Sequence, residues 1–156
     1  MQILCIIDSI GSGGAQRQLV GLADLLKRKG QEVEVVYYHD VHFFRPFLQD
    51  RGIKYQYLPE TSSRWQKFIR LKKYIDAKKP SVVIAYLDGP AIMCCMQRML
   101  GKKFKLLVSE RSLTEYVDWK RKVKFWLYRF SDFVVANSHA EEQNLKKRFP
   151  FLKFKI

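Results

Sequence analysis

The chain has 156 residues, 47% of them hydrophobic and 14% aromatic, and a formal net charge of +14. That is enough apolar material for one domain with its own core, and it excludes a disordered chain. No apolar stretch approaches the roughly 20 residues that span a bilayer, and the opening apolar run is too short for a signal peptide and has no basic lead.

In chain order, Ile3 to Ile7 form a near-continuous apolar run, which suits a strand buried on both faces of a parallel sheet. After Gly14 the period changes, and Ala15, Leu19, Leu22, Ala23 and Leu26 make one helical stripe. Lys27, Arg28 and Lys29 oppose the negative end of that helix, and Gly30 suits the left-handed residue after it. "VEVVYY" reads as a second strand, "RPFLQDRG" as a short helix and "IKYQYL" as a third strand. Arg64 to Lys78 reads as a helix with Trp65, Phe68, Ile69, Leu71 and Ile75 on its buried stripe, ended by Pro80. "SVVIAYL" is a strand, Gly89 to Leu100 a helix followed by Gly101, and "FKLLVSE" a strand. Trp119 to Phe130 fits a helix whose buried stripe is Trp119, Val123, Trp126, Leu127 and Phe130. "FVVANS" is another strand, and Ser138 caps a helix to about Phe149, with Glu141 completing a capping box. "FLKFKI" starts one more strand.

This alternation predicts a three-layer α/β/α Rossmann-like fold, a doubly wound parallel sheet of six to seven strands in one domain over residues 1–156. Ligands of such sheets lie at the carboxyl ends of the strands. Here that edge carries the glycine loop, Asp40, Asp88-Gly89, Glu110-Arg111 and Asn137-Ser138.

Gly11, Gly13 and Gly14 sit where the first strand turns into the first helix. Glycine lets backbone amides approach a ligand, and a helix N-terminus favours phosphate. A tight strand-to-helix turn would also call for glycine. The dinucleotide fingerprint G-x-G-x-x-G fails, because its third glycine falls on Gln16, and no Gly-Lys-Ser/Thr follows for a Walker loop.

Cys5, Cys94 and Cys95 are an odd number without metal spacing, which reads as buried reduced thiols in the cytoplasm. His39, His42 and His139 make no metal set and read as surface residues.

The excess charge is one-sided. Residues 1–60 carry seven Lys/Arg and seven Asp/Glu, whereas residues 61–156 carry 22 and 8. Such asymmetry implies an anionic partner. Lys67, Arg70 and Lys73 lie opposite the apolar stripe of their helix. Lys120, Arg121 and Lys124 share theirs with Phe125 and Tyr128, which fall outside its stripe. Aromatics beside lysines on an outer face suit an anionic membrane surface, and the alternative is a solvated face or one covered by another domain.

Taken together, "GGAQRQLVGLADLLKRKGQEVEVV", "VSERS" and "DFVVANSHAEEQNL" resemble the N-terminal half of a GT-B glycosyltransferase of family 4. Gln16 stands where that family commonly has an acid, and Gln31 where it has His. The resemblance implies a retaining hexosyl- or N-acetylhexosaminyl-transferase of cell-envelope polysaccharide synthesis, peripheral on the inner face of the cytoplasmic membrane. It implies a nucleotide-sugar donor, a glycan or lipid-linked acceptor, and no metal or other cofactor. It also implies a C-terminal donor-binding domain outside these residues, without which the chain transfers nothing. By the same resemblance Gly13 and Gly14 face the donor's diphosphate and sugar, and Arg111 lies close to the reacting sugar as the candidate catalytic residue. Gln16, Asp88, Glu110 and Ser138 are acceptor-binding candidates. At Glu110 and Arg111 a local ion pair is the competing reading, and at Ser138 simple capping.

Two rivals remain on sequence. One is a nicotinamide- or nucleotide-binding domain with Asp40 on the ribose, which Gln16 disfavours. The other is a basic nucleic-acid binder, which lacks any recognisable RRM, KH or zinc-finger signature.

Overall fold

The computed structural model describes residues 1–59, 61, 63–111 and 118–152. Its strands are β1 (Gln2–Ile6), β2 (Glu32–Tyr37), β3 (Lys54–Tyr57), β4 (Val82–Tyr86), β5 (Lys105–Ser109) and β6 (Phe133–Val135). They form one sheet in the order β3-β2-β1-β4-β5-β6, and every neighbouring pair is parallel. The helices are α1 (Gly14–Arg28), α2 (Arg45–Asp50), α3 (Arg64–Lys78), α4 (Asp88–Met99), α5 (Trp119–Leu127) and α6 (His139–Arg148). The expected doubly wound fold is therefore present, with six strands among the described residues. Pro150–Leu152 forms a 3-10 turn, and residues 153–156, the rest of the expected last strand, lie outside the described residues.

The chain winds outward from β1 to β3, then crosses back to β4 on the far side of β1. Right-handed crossovers place α1 and α2 on one face of the sheet and α3 to α6 on the other. Leu19, Val20 and Ala23 of α1 and Leu48 of α2 pack with Ile3, Cys5, Val33 and Val35 on one face. Leu71 and Ile75 of α3, Cys94 and Cys95 of α4, Phe125 of α5 and Leu145 of α6 pack with Leu4, Ile6, Val83 and Leu106 on the other. β1 lies between these layers and is buried on both sides, which is why its sequence is an unbroken apolar run. Cys5, Cys94 and Cys95 are buried free thiols.

Helix ends follow the local sequence. Gly30 adopts φ 77, its amide reaches Lys27 O and that of Gln31 reaches Leu26 O, which closes a Schellman motif. α6 starts at Ser138, whose hydroxyl accepts from the Glu141 amide at 3.2 Å. Among the described residues no helix is long and apolar enough to cross a membrane.

α5 departs from expectation. Phe125 and Tyr128, expected outside, are fully buried, whereas Trp119, Val123 and Trp126, expected inside, are exposed. Lys124, expected on the surface, is buried too. The helix is turned by roughly 100°, one residue's rotation. A 3-10 turn at Tyr128–Phe130 ends it. Trp65 of α3 also leaves its expected stripe. It is exposed and stacks on buried Phe68 at 5.4 Å between ring centroids.

Candidate functional site

The strand order reverses between β1 and β4, so the crevice of this sheet opens at their carboxyl ends. The glycine loop leaves β1 on one side of it, and Leu87-Asp88-Gly89 leaves β4 on the other. Leu87 takes φ 70 and ψ 163, a backbone region that residues other than glycine avoid at a cost of about 1–3 kcal/mol. This strained residue starts α4 and sets the direction of Asp88.

At the glycine loop the two explanations separate. Neither Gly13 nor Gly14 has a positive φ, and Gly13 sits at φ −71. A Cβ on Gly14 would meet nothing within 4 Å, and one on Gly13 would meet only the flexible side chain of Gln16. The turn therefore does not require glycine at these two positions. Gly11 differs, since a Cβ there would press on Val41 Cγ1 at 3.2 Å. No side chain caps α1 and no acid lies in its first turn, so its amide dipoles face the edge uncompensated. Gln16 folds back over the loop, with its Nε2 3.4 Å from Ser9 Oγ.

Arg111, at the end of β5, lies across three strand ends. Its guanidinium covers the Tyr86 ring of β4 at 4.7 Å, and its Nη1 donates to Asn137 Oδ1 after β6 at 2.9 Å. Its Nε is shielded from water and makes no hydrogen bond among the described residues. Tyr86 belongs to the core beneath α1, so Arg111 and the glycine loop share that side of the sheet. Tyr86 escapes a motif reading. Its signal is an aromatic as the last residue of a strand beside the Arg-bearing one.

Glu110 points the opposite way, as strand alternation requires. Its side chain is wholly buried, and its Oε2 takes a hydrogen bond from Lys124 Nζ at 2.7 Å and from the Tyr128 hydroxyl at 3.1 Å. Lys124 Nζ also reaches Asp88 Oδ1 at 3.0 Å. In place of the competing reading, a Glu110–Arg111 ion pair, Glu110 pairs with Lys124, and its buried carboxylate does not reach the crevice as the acceptor-binding expectation required. Burial first, and then the negative charge of Glu110, pushes the Tyr128 hydroxyl well above its ordinary pKa, so it stays a donor. Asp88 is half-exposed, and one of its oxygens is fixed by Lys124.

Ser138 caps α6 and, with Asn137 and His139, lines a hollow of 420 Å³ beyond the end of β6. A larger, mainly apolar groove of 560 Å³ runs between α3 and α4, lined by Trp65, Phe68, Gly89, Met93 and Met96 with Arg64 and Lys67. Of the expected surface cations, Lys67 sits over the Tyr38 ring at 4.5 Å and Arg70 donates to Pro59 O, while Lys73 and Lys120 are exposed and Arg121 half-buried. His42 is half-buried against Tyr37 and Tyr57 rather than free on the surface. Ser112 of the "VSERS" motif lies outside the described residues.

Comparison with known proteins gives a consistent picture. The model of Glycosyltransferase Family 4 matches residues 12–156. The GalNAc-alpha-(1->4)-GalNAc-alpha-(1->3)-diNAcBac-PP-undecaprenol alpha-1,4-N-acetyl-D-galactosaminyltransferase of Campylobacter jejuni is 31% identical over 137 residues, covering 82% of this chain and 36% of that protein. Among solved structures, Anabaena Alr3699/HepE in complex with UDP-glucose superposes with a TM-score of 0.76 at 19% identity, over 96% of this chain and 41% of that one. A glycosyltransferase from Rickettsia africae gives 0.74 at 17% identity, over 94% and 39%. The UDP-GlcNAc 2-epimerase of Methanocaldococcus jannaschii gives 0.68 at 13% identity, over 95% and 42%. This chain spans well under half of each.

Proposed function

The chain belongs to glycosyltransferase family 4, and from that premise we propose that it is the acceptor-side lobe of a retaining enzyme. That enzyme moves a hexosyl or N-acetylhexosaminyl group from a nucleotide-sugar to a lipid-linked or glycan acceptor of cell-envelope polysaccharide synthesis. The donor is carried by a second lobe outside these residues, which closes over the carboxyl edge of the sheet. The enzyme works in the cytoplasm, peripherally on the inner face of the membrane, and needs no metal. Without the second lobe the chain does not transfer sugar.

One observation carries this reading: α1 begins bare. Gly13 and Gly14 are required neither by backbone conformation nor by packing, and no side chain caps the helix. What such a terminus fits is an anionic group approaching to backbone distance. As the bond from the anomeric carbon to the donor oxygen breaks, negative charge builds on the leaving diphosphate. Preorganised amides and a fixed guanidinium stabilise that charge in the transition state more than in the ground state. Arg111 is fixed in this sense, by Tyr86 beneath it and Asn137 beside it. Asp88, with one oxygen held by Lys124, presents the other to acceptor hydroxyls.

The protein extended through its donor lobe tests the proposal. It is incubated with UDP-glucose, UDP-N-acetylglucosamine or UDP-N-acetylgalactosamine and a diphosphopolyprenyl oligosaccharide, and the product linkage is read by NMR. An α-linked product from an α-linked donor is expected. A β-linked product refutes retention, and epimerised sugar without transfer refutes the transferase.

A further inference from the structure

We propose that a hollow at the amino edge of the sheet, opposite the crevice, binds a small phosphorylated ligand. The inference goes beyond the transferase reading, and its test needs neither sugar donor nor acceptor.

The hollow holds 410 Å³ and lies where α3 runs into β4 and α4 into β5. That volume is within the range of small-molecule sites. Ile75, Pro80 and Phe104 give it a buried apolar floor, and Lys79, Lys102 and Lys103 give it a cationic rim. Among the described residues Asp76 is the one acid that lines it, and it is outnumbered. Lys102 pairs with it at 2.6 Å and Lys72 at 3.0 Å. Lys79 and Lys103 are exposed, and their ammonium groups make no hydrogen bond or ion pair among the described residues. Part of the positive excess of residues 61–156 is therefore gathered here rather than on the outer helix faces.

Helix ends offer a simpler reason for lysines at this edge. α3 and α4 both finish here, each with about half a negative charge to compensate. That reason does not cover Lys79. Where α1, α2 and α4 end, the left-handed residue is a glycine: Gly30, Gly52 and Gly101. α3 ends in Lys79 instead, at φ 48 and ψ 52, directly before Pro80. A Cβ in that conformation costs more than a cation at a helix end returns, and Lys78 already lies in the last turn. Glycine would serve the helix better, so the side chain is explained by what it faces. Strain held at one position in this way marks a functional residue.

The lining selects the ligand. Two unpaired ammonium groups beside a third suit a phosphate or diphosphate, as charge-assisted hydrogen bonds. The apolar floor beneath them suits a ring or carbon skeleton. A nucleotide has both parts, whereas an acidic peptide uses the rim and leaves the floor bare.

The experiment titrates the chain itself, by calorimetry at low salt, with pyrophosphate, ADP, adenosine or a polyglutamate peptide. Pyrophosphate and ADP should bind, ADP more tightly, and adenosine should not. Added salt should weaken both. Lys79→Gly and Lys103→Gln should each weaken ADP binding about fivefold, the scale of one charge contact near 4 Å in water. Lys79→Gly should also keep or raise the melting temperature, because glycine takes this φ without a Cβ penalty. No binding of pyrophosphate or ADP overturns the proposal, as does ADP binding undiminished in both variants. Polyglutamate bound while ADP is not overturns it in favour of an acidic protein partner. ADP binding lost in Gly14→Ala but kept in Lys79→Gly overturns it too, since the anion then sits at the head of α1.

Discussion

Lys124 Nζ lies 2.7 Å from Glu110 Oε2, the carboxylate having no solvent exposure and the lysine side chain 6%. A charge pair this deep is held because each partner compensates the other's desolvation, and removing one strands the other. Lys124→Met is therefore expected to destabilise the domain by about 3–5 kcal/mol. Lys124→Met with Glu110→Gln should recover much of the loss, because the amide still accepts from Tyr128 and no buried charge remains. Urea denaturation of the single and double variants measures both. Simple addition of the two single losses would show that the groups are not paired.

Gly14→Ala separates the two explanations of the glycine loop. The added methyl enters open space at a helical position, so stability should hold or rise by less than about 1 kcal/mol. In the enzyme extended through its donor lobe, KM for the nucleotide-sugar should rise about tenfold or more, as the methyl blocks backbone approach to the diphosphate. Thermal melts and initial rates on the same variant decide it. Unchanged stability with unchanged kinetics would mean that nothing approaches the loop.

How much of this was legible in the sequence varied with the source of the forces. The span of α3 was readable, because its apolar period and its following Pro80 are local signals, although Trp65 leaves the predicted stripe. So was the strand-to-helix turn at Gly13-Gly14. α5 was not, since its rotation is set by Asp88 and Glu110, which lie 36 and 14 residues away in the chain and draw a lysine inward. A hydrophobicity count places lysine outside and tryptophan inside, and here both placements invert. Arg111 was found as a motif residue, but its hold on Tyr86 and Asn137 joins three strands and needed the sheet order to be seen.

Tyr74 gives the fold an alkaline limit. Its hydroxyl donates to Glu34 Oε1 at 2.6 Å, and Lys78 Nζ reaches the same carboxylate at 2.9 Å. Burial, and next the hydrogen bond to Glu34, pushes Tyr74 from its ordinary 10.0 up to about 12. Hydrogen bonds to Glu34 and Tyr74 raise Lys78 as well. Both groups thus hold their protons more tightly in the folded state. Their contribution is complete below the unfolded pKa values and is lost as pH rises, for Tyr74 between pH 10.0 and about 12. Tyr74→Phe should lower stability at neutral pH and flatten the decline across that window, which urea midpoints against pH would record. An equally steep decline in the variant would place the alkaline limit elsewhere.

Arg111 tests whether the fixed guanidinium acts in the reaction or only ties strand ends together. Lysine keeps the charge but loses the flat ring contact with Tyr86 and the planar geometry that Asn137 reads. Arg111→Lys should cost little stability, since the side chain lies at the rim. In the two-lobed enzyme it should lower kcat more than it raises KM for the donor, because charge on the leaving diphosphate is greatest in the transition state. A loss of one to three orders of magnitude in kcat is the expected scale for removing an oriented donor of this kind, roughly 2.7–4 kcal/mol at the upper end. Asn137→Ala, which frees the guanidinium without removing it, should give a smaller loss in the same parameter. If Arg111→Lys raises only the acceptor's KM and leaves kcat intact, Arg111 holds the acceptor's phosphate, and the charge on the leaving group is met by the amides of α1.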